Sequence, residues 1–264
     1  MKSVIKQQRG LSLVELLIAM ALGLLLTVGA LQMMLSSQGL YRTTDSLSRI
    51  QESGRFALDF LAKDIRMAGY NTEYLVALYN EPCGASFTSC TEDGGGATSD
   101  RIGIMLEPSR SVDCLGNAVA DDVVNVYYLK AVNGISSLYC RGLNPISNTW
   151  NSGEQPLVDG VENMQILYGI KKVNNIKGSE EEGALEYIET YVPASPTLDF
   201  TSVATVRIAL LVNNGQVNGN GDKASRSFTL LNAPQQDFDD KHQRQVYTST
   251  ISINNAIYIK DTPS

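Results

Sequence analysis

"KQQRGLSLVELLIAMALGLLLTVGALQMML", residues 6–35, decides the architecture before any other part of the chain is read. Residues 1–9 carry Lys2, Lys6 and Arg9 and no acid. From Leu16 to Tyr41 there is no charged residue at all. A helix of that length spans the roughly 30 Å hydrocarbon core of a bilayer. Basic residues before the run and none close behind it place the N-terminus in the cytoplasm and the bulk of the chain outside. Val28-Gly29-Ala30 offers a small-residue cleavage site for a secretory signal. Against that stand the early acid Glu15 and a helical pattern that continues past the site. Glu15 is the anomaly, because a carboxylate in lipid costs free energy.

After Tyr41 the pattern turns amphipathic in "YRTTDSLSRIQESGRFALDFLAKDIRMAGY", residues 41–70. Leu47, Ile50, Gly54, Ala57, Leu61, Ile65 and Ala68 follow steps of three and four, which makes one apolar stripe. Arg49, Glu52, Arg55, Asp59, Lys63, Asp64 and Arg66 fill the remaining positions, and Gly69 stands where a C-cap belongs. The spacing predicts one helix from Leu11 to Ala68, with a break near Ser36-Ser37-Gln38-Gly39 as the alternative.

Beyond Gly69 the periods shorten. Strands are expected at 101–106, 123–130, 135–140, 161–170, 187–192, 203–212, 227–231 and 246–253. In "VATVRIALLV" Val206, Ile208, Leu210 and Val212 share a face, with Arg207 opposite. The connectors "TEDGGGATSD", "RGLNPISNTWNSGEQP" and "NNGQVNGNGDKAS" are read as loops. A long N-terminal helix followed by antiparallel strands is an α+β arrangement, with the stripe covering one sheet face. There is no internal repeat.

Composition narrows the chemistry. Hydrophobic content of 43% and charged content of 19% are globular values, and the net charge of −7 argues against a nucleic-acid partner. Four cysteines, Cys83, Cys90, Cys114 and Cys140, form no C-x-x-C motif. In an exported chain they imply two disulfides, and Cys83–Cys90 with Cys114–Cys140 needs the least chain crossing of the three pairings. In a cytosolic chain they would be free thiols. Asn218-x-Asn220-x-Asp222 resembles the start of a calcium loop but lacks its later ligands, so it reads as a polar turn. Glu180-Glu181-Glu182 reads as a solvated charge run, and His242 as a surface residue without a partner. No G-x-S-x-G, H-E-x-x-H or phosphate-loop motif occurs, so no catalytic, metal or cofactor residue is assigned. Tyr127, Tyr128, Tyr139, Tyr187 and Tyr191 are half-buried sheet residues, or alternatively a binding face.

"RGLSLVELLIAMALGLLL" resembles the N-terminal signal of type IV prepilins and type II secretion pseudopilins: a basic leader ending in Gly, then an apolar helix with Glu at its fifth residue. Leu11 replaces the usual Phe, and Gln32 stands near where many major pilins have Pro. "PLVDGVENMQILYGI", "VATVRIALLVN" and "TSTISINNA" resemble the PilW-type minor pilins, related to the J-type pseudopilins, although Asn254-Asn255 departs from the family's final Arg-Asn.

The resemblance implies cleavage by prepilin peptidase between Gly10 and Leu11, N-methylation of Leu11, and Glu15 as an assembly determinant. It divides the chain into a leader (1–10), a transmembrane and assembly helix (11–40), an amphipathic helix docked on the head (41–69) and a β-rich pilin head (70–264). Losing Lys2, Lys6 and Arg9 from 21 basic residues leaves 18 against 28 acidic ones, about −10. The implied partners are other minor pilins and the major pilin through the helix, prepilin peptidase and the inner-membrane assembly platform, with a tip adhesin as a further candidate. The alternatives are a type II secretion minor pseudopilin and a membrane-anchored ligand-binding or adhesive domain that never polymerises.

Overall fold

The computed structural model describes residues 12–70, 76–96, 98–107, 112–151, 153–175, 184–214 and 223–256. A single helix, α1, runs over Leu13–Met67 without a break at 36–39. The chain divides into two compact units, Met1–Asp45 and Ser46–Ser264, so α1 contributes to both. In the first unit every described side chain but Thr43 is exposed, from Leu13 at 75% through Leu26 at 76% to Tyr41 at 75%.

In the second unit α1 buries Ile50, Gly54, Ala57, Leu61 and Ile65, as the stripe requires. Two positions depart from it. Leu47 is 43% exposed, whereas Asp64, grouped by sequence with the solvated face, is only 4% exposed. Asp64 follows Leu61 by three and Ala57 by seven, which is the spacing of the stripe itself.

Among the described residues eleven strands follow. The first sheet holds β1 (Ile102–Leu106), β2 (Val123–Val132), β3 (Ile135–Asn144), β4 (Thr149–Trp150) and β5 (Gln155–Asp159), in the order β1-β2-β3-β4, with β5 also on β3. The second is β11 (Arg244–Ser252), β8 (Val203–Asn213), β6 (Val161–Asn175) and β7 (Ala184–Val192), in that order. β9 (Ala224–Phe228) and β10 (Gln236–Asp240) make a two-stranded ribbon. All the pairings are antiparallel.

The antiparallel strands expected from sequence are arranged as two sheets and a ribbon. β4, β5 and β10 lie in stretches too polar or too short to announce themselves as strands. The strand expected at 227–231 runs instead over Ala224–Phe228 and stops before Leu231, whose φ is +49°.

The main core joins the α1 stripe to both sheets: Tyr127 and Leu138 from the first, Met164, Ile166, Val206, Ile208 and Leu210 from the second. Each sheet is also covered behind. Val124, Val126, Tyr128, Tyr139 and Leu143 meet the segment bearing Cys83 and Cys90. Ala209 and Leu211 lie under Leu230 and Ala233, with Phe228 and Phe238 of the ribbon packed alongside. Thus Val206, Ile208, Leu210 and Val212 do share a buried face, while the opposite face at 209 and 211 is buried too. Double coverage removes the clean alternation of a one-sided sheet.

Candidate assembly site

The N-terminal unit is described from Ser12. Val14 N donates to Ser12 Oγ (3.3 Å), and Ser12 N donates to Glu15 Oε2 (3.3 Å). Together they cap the helix start in the manner of an S-x-x-E capping box, with Ser12 taking the second amide of the helix rather than that of Glu15, and satisfy two donors near the helix start. The Ser12-Leu13-Val14-Glu15 signature was visible in the sequence, but attention to the acid alone missed it. Glu15 also sits in the first turn, where a negative charge suits the helix dipole. Gly10 and Leu11, the expected cleavage and methylation positions, lie outside the described residues, as do the polar turn at 218–222 and the acid run at 180–182. Behind the cap, α1 contains a window long and apolar enough to cross a membrane, none of it buried.

In the head, α1 is fixed at three levels. Near its start within that unit, Ser46 Oγ donates to Gln243 Oε1 (3.0 Å) and accepts from Asn214 Nδ2 (2.6 Å). In the middle, Gly54 lets the Tyr247 ring of β11 approach so closely that a Cβ there would lie 2.5 Å from ring carbons. Farther on, Asp64 Oδ2 accepts from Asn125 Nδ2 (2.7 Å) and Tyr127 OH (2.6 Å), both on β2. A buried carboxylate is tolerated only with such donors, and these set the helix's rotation and height on the sheet. Gly69, at φ +71°, turns the chain away, and Asn255 Nδ2 donates to Ala68 O (3.3 Å). Asn255, part of the segment that departs from the resembling family's ending, thus closes the last turn of the helix. Sequence reasoning missed Ser46, Asp64, Asn125 and Asn255, because their partners are remote in the chain.

Cys83 is bonded to Cys90 (Cα–Cα 4.9 Å) and Cys114 to Cys140 (6.3 Å). The first closes a short loop behind the first sheet, and the second ties the 112–118 turn to β3. The chain-entropy account gives roughly 2.5 and roughly 3.5 kcal/mol for loops of these lengths.

The five tyrosines form no common face. Tyr127 faces the main core, Tyr128 and Tyr139 stack behind the first sheet (5.9 Å), and Tyr187 and Tyr191 belong to β7 of the other sheet. His242 is half-buried rather than on the surface; its backbone N–H donates to Asp240 Oδ1 (2.9 Å) and its backbone carbonyl accepts from Arg226, while the ring Nδ1 is buried without a hydrogen-bond partner among the described residues.

Comparison with known proteins follows this geometry. Residues 5–31 match the prokaryotic N-terminal methylation motif, and residues 126–255 match the family described as type IV pilus-assembly protein W. A type IV-like pilin from Thermus thermophilus aligns structurally at 14% identity, covering 79% of this chain and 99% of that one, with a TM-score of 0.44. No curated protein matches the chain significantly. A methylation motif on an exposed apolar helix that continues into a β-rich head defines a type IV pilin-like protein. Within that class, the chain is a minor pilin carrying a PilW domain. The motif and the helix indicate membrane anchoring and incorporation into a pilus, and the family is a structural, non-enzymatic one.

Proposed function

We propose that this minor pilin is held in the inner membrane by residues 11–40 with its head in the periplasm, and then joins the complex of minor pilins that initiates a type IV pilus and sits near its tip. Prepilin peptidase would cut between Gly10 and Leu11, and Leu11 would be N-methylated. The major pilin, the other minor pilins and the inner-membrane platform would be met through the helix; a tip adhesin would be met at the end of the fibre. The head consists of residues 70–264 with the docked helix 41–69.

The observation that carries the reading is the Ser12–Glu15 cap at the start of α1, ahead of an apolar stretch whose described side chains are exposed from Leu13 to Tyr41. A carboxylate at the centre of a membrane helix costs about 2.5–3.5 kcal/mol. Glu15 offsets part of that cost through its contact with Ser12 N, next to the α-amine that the cut would create at Leu11. Before assembly the carboxylate serves its own helix. On assembly it pairs with the Leu11 amine of a neighbouring chain, so that the ion pair exists only at the correct axial offset.

Two substitutions separate capping from charge pairing. Glu15→Gln keeps an acceptor for Ser12 N and removes the charge, whereas Glu15→Ala removes both. We expect both variants to be processed, with a methylated Leu11 N-terminus by mass spectrometry, and both to be depleted from pili. Wild-type incorporation of Glu15→Gln would sink the charge-pairing role. An N-terminus at Leu31, or an intact leader, would sink the pilin assignment of the segment. A deletion strain that keeps its pili and loses secretion would place the chain in a type II secretion system instead.

A further inference from the structure

Within the head, α1 carries a line of exposed side chains that the docked stripe does not use. Arg49, Glu52, Phe56, Asp59, Lys63 and Arg66 follow steps of three and four, which keeps them on one side of the helix, and every one of them is exposed. Their charges run plus, minus, neutral, minus, plus, plus. Asp59 makes a loose ion pair with Arg55 (3.8 Å), with both side chains more than two-thirds exposed. A pair so exposed holds its partners weakly, and leaves Asp59 open to another cation.

Beside this line lies a groove of about 620 Å³, walled by Ser53, Phe56 and Phe60 of α1, Ile135 of β3 and Leu157 of β5. Phe56, Phe60 and Ile135 are 50%, 40% and 46% exposed, although each is a large apolar side chain next to a formed core. The groove also reaches Asn214, whose Nδ2 donates to Ser46 Oγ (2.6 Å) while its buried Oδ1 has no partner among the described residues. Exposed aromatic surface beside an unmatched acceptor marks a contact surface. Met67 and Tyr70, at the far end of the line, are exposed as well.

The line is complementary to itself at one offset. An N-terminal membrane anchor makes two copies parallel, because both enter the same membrane from the same side. In register, each charge meets its own sign. Offset by one turn, Lys63 meets Arg66; by two turns, Glu52 meets Asp59; by four turns, Arg49 meets Lys63. Offset by three turns, about 16 Å, Arg49 meets Asp59, Glu52 meets Lys63 and Phe56 meets Arg66, with no like pair. We propose that the head half of α1 binds that of a second copy of this chain, in parallel and three turns out of register. Met67 and Tyr70 of the copy nearer the membrane then come level with Phe56 and Phe60 of the copy farther out, and cover its groove. The contact is heterologous, so a third copy can be added in the same way. Like charges oppose the in-register pair, and the interface forms only when one copy is displaced along the helix axis. The inference rests on the assembly reading, because assembly is what moves one copy past another.

All the cysteines are held in disulfides, so an introduced cysteine reports contacts without a competing thiol. The test co-expresses two differently tagged full-length copies in a piliated strain, one with Arg49→Cys and one with Asp59→Cys, and assays sheared pili for a disulfide-linked dimer. The mixed pair should crosslink, and Arg49→Cys in both copies should not. Glu52→Lys in the first copy should cut the crosslink about fivefold, the upper range for an exposed pair, and Lys63→Glu in the second should restore it. Pili that contain the chain with a methylated Leu11 but no mixed dimer would uphold the assembly reading and overturn the second copy, leaving the groove to another pilin. As much dimer from the in-register pair, or loss on Glu52→Lys without rescue, would overturn the three-turn offset. A chain absent from pili altogether would overturn both readings.

Discussion

The two parts of α1 show how one backbone serves two environments. From Leu13 to Tyr41 the helix is apolar all round and no described side chain is buried; from Ser46 to Met67 only one stripe is apolar, and Ile50, Ala57, Leu61 and Ile65 are fully buried in the head. The second half is satisfied by its own chain. The first is satisfied only by what the chain does not contain, namely lipid or the helices of other subunits. The stability of the folded head should therefore depend on the second half alone.

The largest test of that division is pH. Asp100 stands at about 7 through burial, against 3.8 unperturbed. A raised carboxyl contributes stability that is fully present below 3.8 and is lost as pH rises through about 7. The loss amounts to on the order of 4 kcal/mol. Asp240, held near 2 by its hydrogen bonds to Arg244, works in the opposite sense, but only as pH falls below its unperturbed 3.8. Urea unfolding of the head should thus need more denaturant at pH 5 than at pH 7.5. A rise in stability across that interval would refute the assignment.

Next comes the apolar contact. Leu61→Ala should destabilise the head by about 3 kcal/mol, since it deletes a fully buried side chain at the junction of helix and sheets. Leu24→Ala, with Leu24 at 69% exposure, should leave head unfolding unchanged within about 0.5 kcal/mol. Equal effects of the two would erase the division.

Much of this was legible in the sequence. The 26 uncharged residues from Leu16 to Tyr41 and the period of the 50–68 stripe fixed the helix and its two roles. Runs such as 123–130 and 203–212 were long and apolar enough to read as strands. What failed to show was long-range. Asp64 looks solvated until Asn125 and Tyr127 are placed beside it, 61 and 63 residues away in sequence. The 93–100 loop reads as a flexible linker until Ile166 supplies its donor. Polar groups in a core are defined by their partners, and no local period reports a partner in another element.

Asp64 therefore offers a smaller and more specific probe. Asp64→Ala leaves the Asn125 amide and the Tyr127 hydroxyl without this acceptor, at about 2 kcal/mol. In the Tyr127→Phe background the same substitution should cost less, because one of the two donors is already gone. Strictly additive losses would mean that the bond to Tyr127 is not part of the anchor.

Gly54 carries the smallest expected effect and the sharpest sign. A methyl group there would lie 2.5 Å from Tyr247 Cδ2 and Cε2, atoms of a rigid ring on β11. Overpacking of this kind costs about 1–3 kcal/mol, while replacing a mid-helix glycine by alanine returns about 1 kcal/mol. Gly54→Ala should thus lower head stability by about 1 kcal/mol, and in the Tyr247→Ala background it should raise it by nearly the same amount. Gly29, in the other half of the same helix, has nothing within 4 Å of its would-be Cβ. Gly29→Ala can gain helix propensity but meets no ring, so it should leave head unfolding unaltered. A double-mutant cycle on Gly54 and Tyr247 without this reversal of sign would show that the helix can shift on the sheet. The anchors at Ser46 and Asp64 would then not fix its position.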